Sequence, residues 1–167
     1  MRQVAHTGRF FHFLFVLIMI TAVNSKAQSP QNGTEAKVRA MVSRMTLEEK
    51  IGQMAQVSVE SLGKLDGDHF VFDQAKLRDA VVNYKIGSIL NSPGEPLGPD
   101  QWNAVLDQIQ NNAKQTRLKI PVLYGLDDNH GCNYVLGATL FPQEIGQAAT
   151  WNRQLIYEAA VITAYES

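Results

Sequence analysis

Hydrophobic positions along this chain change their spacing repeatedly, and the changes divide it into helices and short strands. Thr34 to Arg44 reads as one helix. Thr46-Leu47-Glu48-Glu49 is a capping box, in which the Thr46 hydroxyl accepts from the Glu49 amide while the Glu49 side chain reaches back. A second helix is therefore predicted from Leu47, with Ile51, Met54 and Ala55 on its apolar face. Ser58 to Phe72, with Gly63, Gly67 and scattered acids, reads as a loop. Asp66-Gly67-Asp68 is a solvated turn in this reading, since Phe70 and Val71 stand where a calcium loop needs a ligand and a glycine. Helical spacing returns from Phe72 to Tyr84 with Ala75, Leu77, Ala80 and Val81. Ile86 to Asn91 is a short strand closed by Ser92-Pro93-Gly94. Pro99 suits a first helical turn, and Trp102, Val105, Leu106, Ile109 and Ala113 then mark a one-sided helix. Pro121 to Leu126 is apolar throughout, as expected of a parallel strand buried on both faces. Asn152 is a candidate N-cap for a last helix reaching Glu166, with Leu155, Ala159 and Ile162 apolar.

Strand, one-sided helix, strand is a βαβ unit, so the fold class is α/β. Such sheets present ligand sites at the carboxyl ends of their strands. Here the second strand runs directly into Asp127, Asp128, Asn129 and His130. One acid could accept hydrogen bonds from a polar ligand; equally, the segment could cap its own backbone, as Asp and Asn often do. Asp127, Asp128 and His130 match no standard metal spacing, and a calcium loop starting at Asp127 would have Cys132 at its glycine position. No metal is expected. There is no nucleophile elbow, phosphate loop or dinucleotide glycine fingerprint, so no cofactor is expected either. Trp102 lies on the apolar face of its helix and reads as core, whereas Trp151, at a helix start, stays open as a sugar-stacking platform.

The first residues change the picture of where the chain works. Arg2 and Arg9 precede an apolar run from Phe10 to Val23, and Ser25-Lys26-Ala27 offers small residues to a signal peptidase. The run is shorter than the roughly 18 residues of a spanning helix, which favours a cleaved leader over a membrane anchor. Residues 1–27 are thus expected to be a signal peptide and 28–33 a linker, with export to the periplasm or the exterior and no membrane association afterwards. The full chain of 167 residues has 15 basic and 16 acidic side chains, and the leader takes Arg2, Arg9 and Lys26 but no acid. The remaining acidic excess argues against a nucleic-acid partner. Cys132 is the sole cysteine, so no internal disulfide forms, and it reads as a small buried filler rather than a nucleophile.

Four ordered segments carry a resemblance: MTLEEKIGQM (Met45 to Met54), KIGSIL (Lys85 to Leu90), IPVLYGLDDNHG (Ile120 to Gly131) and GATLFPQEIGQAAT (Gly137 to Thr150). Together they resemble glycoside hydrolase family 3, and more narrowly the amino-terminal barrel of its exported β-glucosidases. The D-x-x-H-G run at Asp127 to Gly131 is similar to the β-glucosidase and exo-β-glucanase pattern, not to the acid-Gly-Gly-Arg run of the N-acetylhexosaminidase branch.

The resemblance implies a (β/α)8 barrel in which Asp127 binds hydroxyls of a terminal, non-reducing β-D-glucosyl unit, with His130 supporting the same loop. The implied partner is a β-glucoside or β-gluco-oligosaccharide, cleaved with retention by an aspartate nucleophile and a glutamate acid/base. Asp128 stands where the family usually has a small residue, and Cys132 occupies a variable position. The family's Ser-Asp-Trp nucleophile motif and its Lys-His-Phe sugar contact do not occur in this sequence, so no catalytic residue is assigned. A closed barrel takes eight strands and about 250 residues. Residues 34–167 are therefore expected to form the first part of such a barrel, incomplete and without hydrolytic activity alone. The alternatives are an inactive truncated product with weak carbohydrate binding, and β-xylosidase specificity in a longer enzyme.

Overall fold

The computed structural model describes residues 32–67 and 69–167. The expected leader lies outside the described residues, as does most of the expected linker. The chain divides into two compact units, Met1–Ser43 and Arg44–Ser167. In the first, helix α1 (Asn32–Arg44) begins before the predicted Thr34, so Asn32 and Gly33 are helical rather than linker. Its Arg39 and Glu35 form an exposed i,i+4 ion pair at 2.7 Å.

The second unit is built on three parallel strands, β1 (Gln56–Ser58), β4 (Ser88–Leu90) and β5 (Leu123–Gly125), in the order β1-β4-β5. Gln56 pairs with Ser88 and Ser88 with Leu123, so the three carboxyl ends lie level. Helix α4 (Pro99–Ala113) connects β4 to β5. It buries Trp102, Val105, Ile109 and Ala113 as its spacing predicts, while Leu106 is only half-buried. These side chains meet Ile89 of β4, Ile86 and Val122 from the segments leading into β4 and β5, and Leu77 and Val81 from the helix before β4, in one core.

Several expectations are corrected. The segment Ser58–Phe72 is not a loop: a 3₁₀ turn (Val59–Leu62) leads into an antiparallel hairpin, β2 (Gly63–Asp66) with β3 (His69–Phe72). Its driving force is the alternation in His-Phe-Val-Phe, which buries Phe70 and Phe72 edge-to-face at 5.0 Å and leaves His69 and Val71 outside. The predicted helix Phe72–Tyr84 starts later, at Gln74, because the Asp73 carboxylate caps the amides of Ala75 and Lys76. It is a short α3 (Gln74–Arg78) relaxing into a π turn, Asp79–Asn83. Strand β5 is shorter than predicted and is not buried on both faces, since Leu123 is 73% exposed. Helix α5 (Glu144–Ala149) was not predicted, and α6 (Arg153–Glu166), capped by Asn152 as expected, buries none of its side chains.

Helix α2 (Leu47–Gln53) also turns a different face inward. Ile51 and Met54 are exposed; Glu49 and Gly52 are buried. The reason is a backbone-to-backbone contact. A Cβ on Gly52 would collide with the carbonyls of Tyr84 and Lys85, and one on Gly87 would collide with the Gln53 carbonyl. The space left by both glycines lets the Gly87 amide donate to Gly52 O and Ala55 O at 3.0 and 3.1 Å. Glu49 is held beside this contact by the capping box and by Arg117, whose Nε donates to Oε1 at 3.0 Å and Nη2 to Oε2 at 2.5 Å. The other bond of Arg117 Nη2, 2.8 Å to Arg44 O, closes the arrangement.

Replacing Gly87 with Ala should lower the free energy of unfolding in urea by about 1–3 kcal/mol through overpacking against immovable backbone. Glu49 gives a pH test. Its hydrogen bonds from Arg117, and next from the Thr46 amide, hold its carboxyl below the usual glutamate range. A depressed folded value means the contribution is complete above the unfolded glutamate value of about 4.3 and is lost as pH falls through the lower folded value. The urea midpoint of the native chain should therefore drop over that acidic window more steeply than that of Glu49→Gln.

Candidate functional site

The carboxyl ends of β1, β4 and β5 form a polar edge. Asn91 follows β4 with φ 78°, a left-handed conformation that asparagine tolerates better than most residues. Its amide donates to Gly125 O at 3.2 Å and its Nδ2 to Ser58 Oγ at 3.4 Å. Tyr124 Oη donates to Asn91 O at 2.6 Å, and burial pushes the phenol's pKa up, so it remains a donor at any physiological pH. Ser58, Asn91 and Tyr124 were not singled out by the sequence reading. The visible signal was an asparagine directly after an apolar strand.

Asp127 leaves β5 on this same edge. It is exposed, and its carboxylate makes no hydrogen bond or ion pair among the described residues. Only its backbone is engaged, accepting from the Asn129 amide at 2.9 Å. His130 is placed differently: its Nδ1 lies 3.2 Å from Phe141 O, and the Phe141 amide donates back to His130 O at 2.8 Å. A carbonyl can only accept, so Nδ1 carries the proton and the ring ties its loop to the returning chain. Gly131 permits that return. Its φ is 103°, and a Cβ there would strike the Thr139 carbonyl.

Asp128 turns inward. Its Oδ2 accepts from Ser167 Oγ at 2.6 Å, whereas Oδ1 is buried and has no hydrogen-bond partner among the described residues. It lines an open cleft of about 530 Å³ between α4, the end of β5 and the loop that follows. Cys132 lies alongside, fully buried. Burial raises its thiol pKa; a hydrogen bond with the Ser167 hydroxyl works against it, and the charge of Asp128 and a hydrogen bond with that carboxylate raise it. Among the described residues no three His, Cys, Asp or Glu side chains are grouped to hold a metal ion. Trp102 is core, with its Nε1 donating to Tyr134 O at 2.9 Å, while Trp151 is 94% exposed.

Residues 46–167 match the Glycosyl hydrolase family 3 N terminal domain. The chain belongs to glycosyl hydrolase family 3. It is similar to the lysosomal beta glucosidase of Dictyostelium discoideum, with 35% identity over 136 residues, covering 76% of this chain and 16% of that protein. Beta-glucosidase C of Emericella nidulans is 30% identical over 139 residues, 79% of this chain and 22% of the relative. The periplasmic beta-glucosidase/beta-xylosidase of Dickeya chrysanthemi is 26% identical over 133 residues, 75% of this chain and 20% of the relative. The chain thus spans between 16% and 22% of the length of these family 3 relatives. The matched region contains the whole sheet and every residue of the polar edge.

With its thiol buried and held protonated, Cys132 should react with Ellman's reagent at pH 8 at less than about a tenth of the rate seen in urea-unfolded chain. Equal rates would show that the loop opens freely.

Proposed function

We propose that this chain is the sugar-clamping part of a retaining β-glucosidase acting on terminal, non-reducing β-D-glucosyl residues. The observation that carries the reading is Asp127, an exposed carboxylate without a partner among the described residues at the carboxyl end of a parallel strand, within a family 3 domain. A carboxylate in that position accepts hydrogen bonds from two adjacent hydroxyls of a pyranose, and such charge-assisted bonds are the strong ones. His130, bonded to Phe141 O, keeps the loop in place and takes no part in proton transfer in this reading. The nucleophile and the acid/base are supplied from outside these 167 residues, together with the remaining strands of a (β/α)8 barrel. The three-stranded sheet is its first part, and the chain alone is inactive. The leader-like residues 1–27, and the periplasmic Dickeya relative, support export.

A second reading, β-xylosidase or mixed specificity, is favoured by the name of that same relative. The discriminating quantity is the ratio of kcat/KM for p-nitrophenyl β-D-glucoside and β-D-xyloside.

The experiment has two arms. The purified 167-residue chain should release no nitrophenol from the aryl glucoside. A longer polypeptide that supplies the remaining barrel strands, the nucleophile and the acid/base should release it with β-glucose as the first-formed anomer by proton NMR, and Asp127→Ala should lower its kcat/KM by about 10- to 100-fold, as expected for losing a hydrogen bond to a charged group. Turnover by the short chain, or α-glucose as first product, would overturn the assignment.

A further inference from the structure

Asn91 keeps a side chain where its backbone asks for none. Its φ of 78° lies in the left-handed region, which glycine enters at no steric cost, so the turn into Ser92-Pro93-Gly94 needs no carboxamide. The backbone itself is pinned by β5. The Asn91 amide donates to Gly125 O, and Tyr124 Oη, braced edge-to-face against Trp102 at 5.5 Å, donates to Asn91 O. Neither bond uses the side chain. Within the fold the carboxamide makes one contact, from Nδ2 to Ser58 Oγ at 3.4 Å, which is long for a hydrogen bond and contributes little stability. Left-handed non-glycine residues held firmly by their surroundings gather at ligand sites. Asn91 is held in this way, and its side chain is exposed.

The direction of that carboxamide follows from its neighbours. Ser58 Oγ lies 3.2 Å from Glu60 Oε2, a carboxylate oxygen that can only accept, so the one hydroxyl proton goes to Glu60. Ser58 then has only lone pairs to offer Asn91, and these face Nδ2. Oδ1 is left as an acceptor without a donor among the described residues. Asp127 presents its carboxylate after β5, the strand next to β4, and adjacent strands lie about 4.8 Å apart. One pyranose ring bridges such a spacing. Its hydroxyls donate, and both strand ends offer acceptors.

We infer that Asn91 is a specificity-determining residue: its Oδ1 accepts a hydroxyl of the same sugar ring that Asp127 clamps. Ser58 and Glu60 are positioning residues that fix which way the carboxamide faces. The inference rests on the proposed carbohydrate function and extends the contact from the end of β5 to the ends of β4 and β1. An acceptor oriented in this way selects against a ring lacking that hydroxyl, because Oδ1 then loses water and gains no donor in return.

The test titrates the whole 167-residue chain with methyl β-D-glucoside and its series of monodeoxy analogues by saturation-transfer NMR. Circular dichroism confirms that each variant is folded. Asn91→Gly, which keeps the left-handed backbone, should weaken the glucoside by about fivefold. One monodeoxy analogue, bound more weakly than the glucoside by the parent, should bind parent and variant equally, since the contact is already absent. Asn91→Asp, which keeps an acceptor in the same place, should restore discrimination against that analogue. Ser58→Ala, which releases the carboxamide, should weaken the glucoside by about twofold and have no further effect in the Asn91→Gly background. Asp127→Ala should lose discrimination at different hydroxyls, which separates the two roles. Equal weakening of the glucoside and every analogue by Asn91→Gly would show a purely structural role and overturn the inference, as would no saturable binding by the parent. Neither result bears on the anomer released by the longer polypeptide, which tests the β-glucosidase reading independently.

Discussion

Helix α2 lies against the turn before β4 because two glycines remove side chains from opposite sides of one contact. Gly52 clears the carbonyls of Tyr84 and Lys85, and Gly87 clears that of Gln53. The rest of the second unit depends on this approach. It sets the distance at which the Gly87 and Ser88 amides reach Ala55 O, and so fixes where β1 must start beside β4. From there the ladder is forced: Val57 faces Ile89 and Ile89 faces Tyr124. The level carboxyl edge, with Ser58, Asn91 and Asp127 at successive strand ends, is a consequence of that register. The Glu49–Arg117 pair guards the same contact from the side, joining α2 to the chain just ahead of β5.

Local chemistry was legible in the sequence, and non-local packing was not. The capping box at Thr46 and the Asn152 cap depend on residues within three positions of each other, and both formed as read. The stripe on α4 was equally clear because the helix has one core to face. The face of α2 was misread because hydrophobicity was taken to mark the buried side; the deciding residue was a glycine whose partners are more than thirty positions away. Strand β1 escaped notice for the same reason: of Gln56, Val57 and Ser58 only one is apolar, and neighbours make it a strand. The hairpin was different. Its alternation and its Gly67 turn were visible, and the acids around them outweighed the signal.

The candidate site divides along the same line. A run of polar residues at the end of an apolar strand pointed to Asp127, and the geometry leaves its carboxylate open. The separate environment of Asp128 could not be read, because its cleft is assembled from Trp102, Tyr124 and the far end of α6. Adjacent acids with identical chemistry therefore occupy different surroundings, one in solvent and one against aromatic walls. The family resemblance marked Asp128 as unusual, and in the structure its Oδ2 is bonded to Ser167 Oγ at the end of α6.

The loop after β5 is anchored without calling on the Asp127 carboxylate. His130 and Phe141 exchange two hydrogen bonds, and Gly131 lets the chain double back against Thr139. The Asp127 carboxylate is thus relieved of structural duty, like an interchangeable tip on a fixed handle, whereas Asp128 ties the loop to Ser167 at the end of α6. Mutational drift or a designed library could vary position 127 without unmaking the turn that presents it. A scaffold of this kind lets selectivity change faster than architecture, so relatives sharing the His-Gly anchor need not share a substrate.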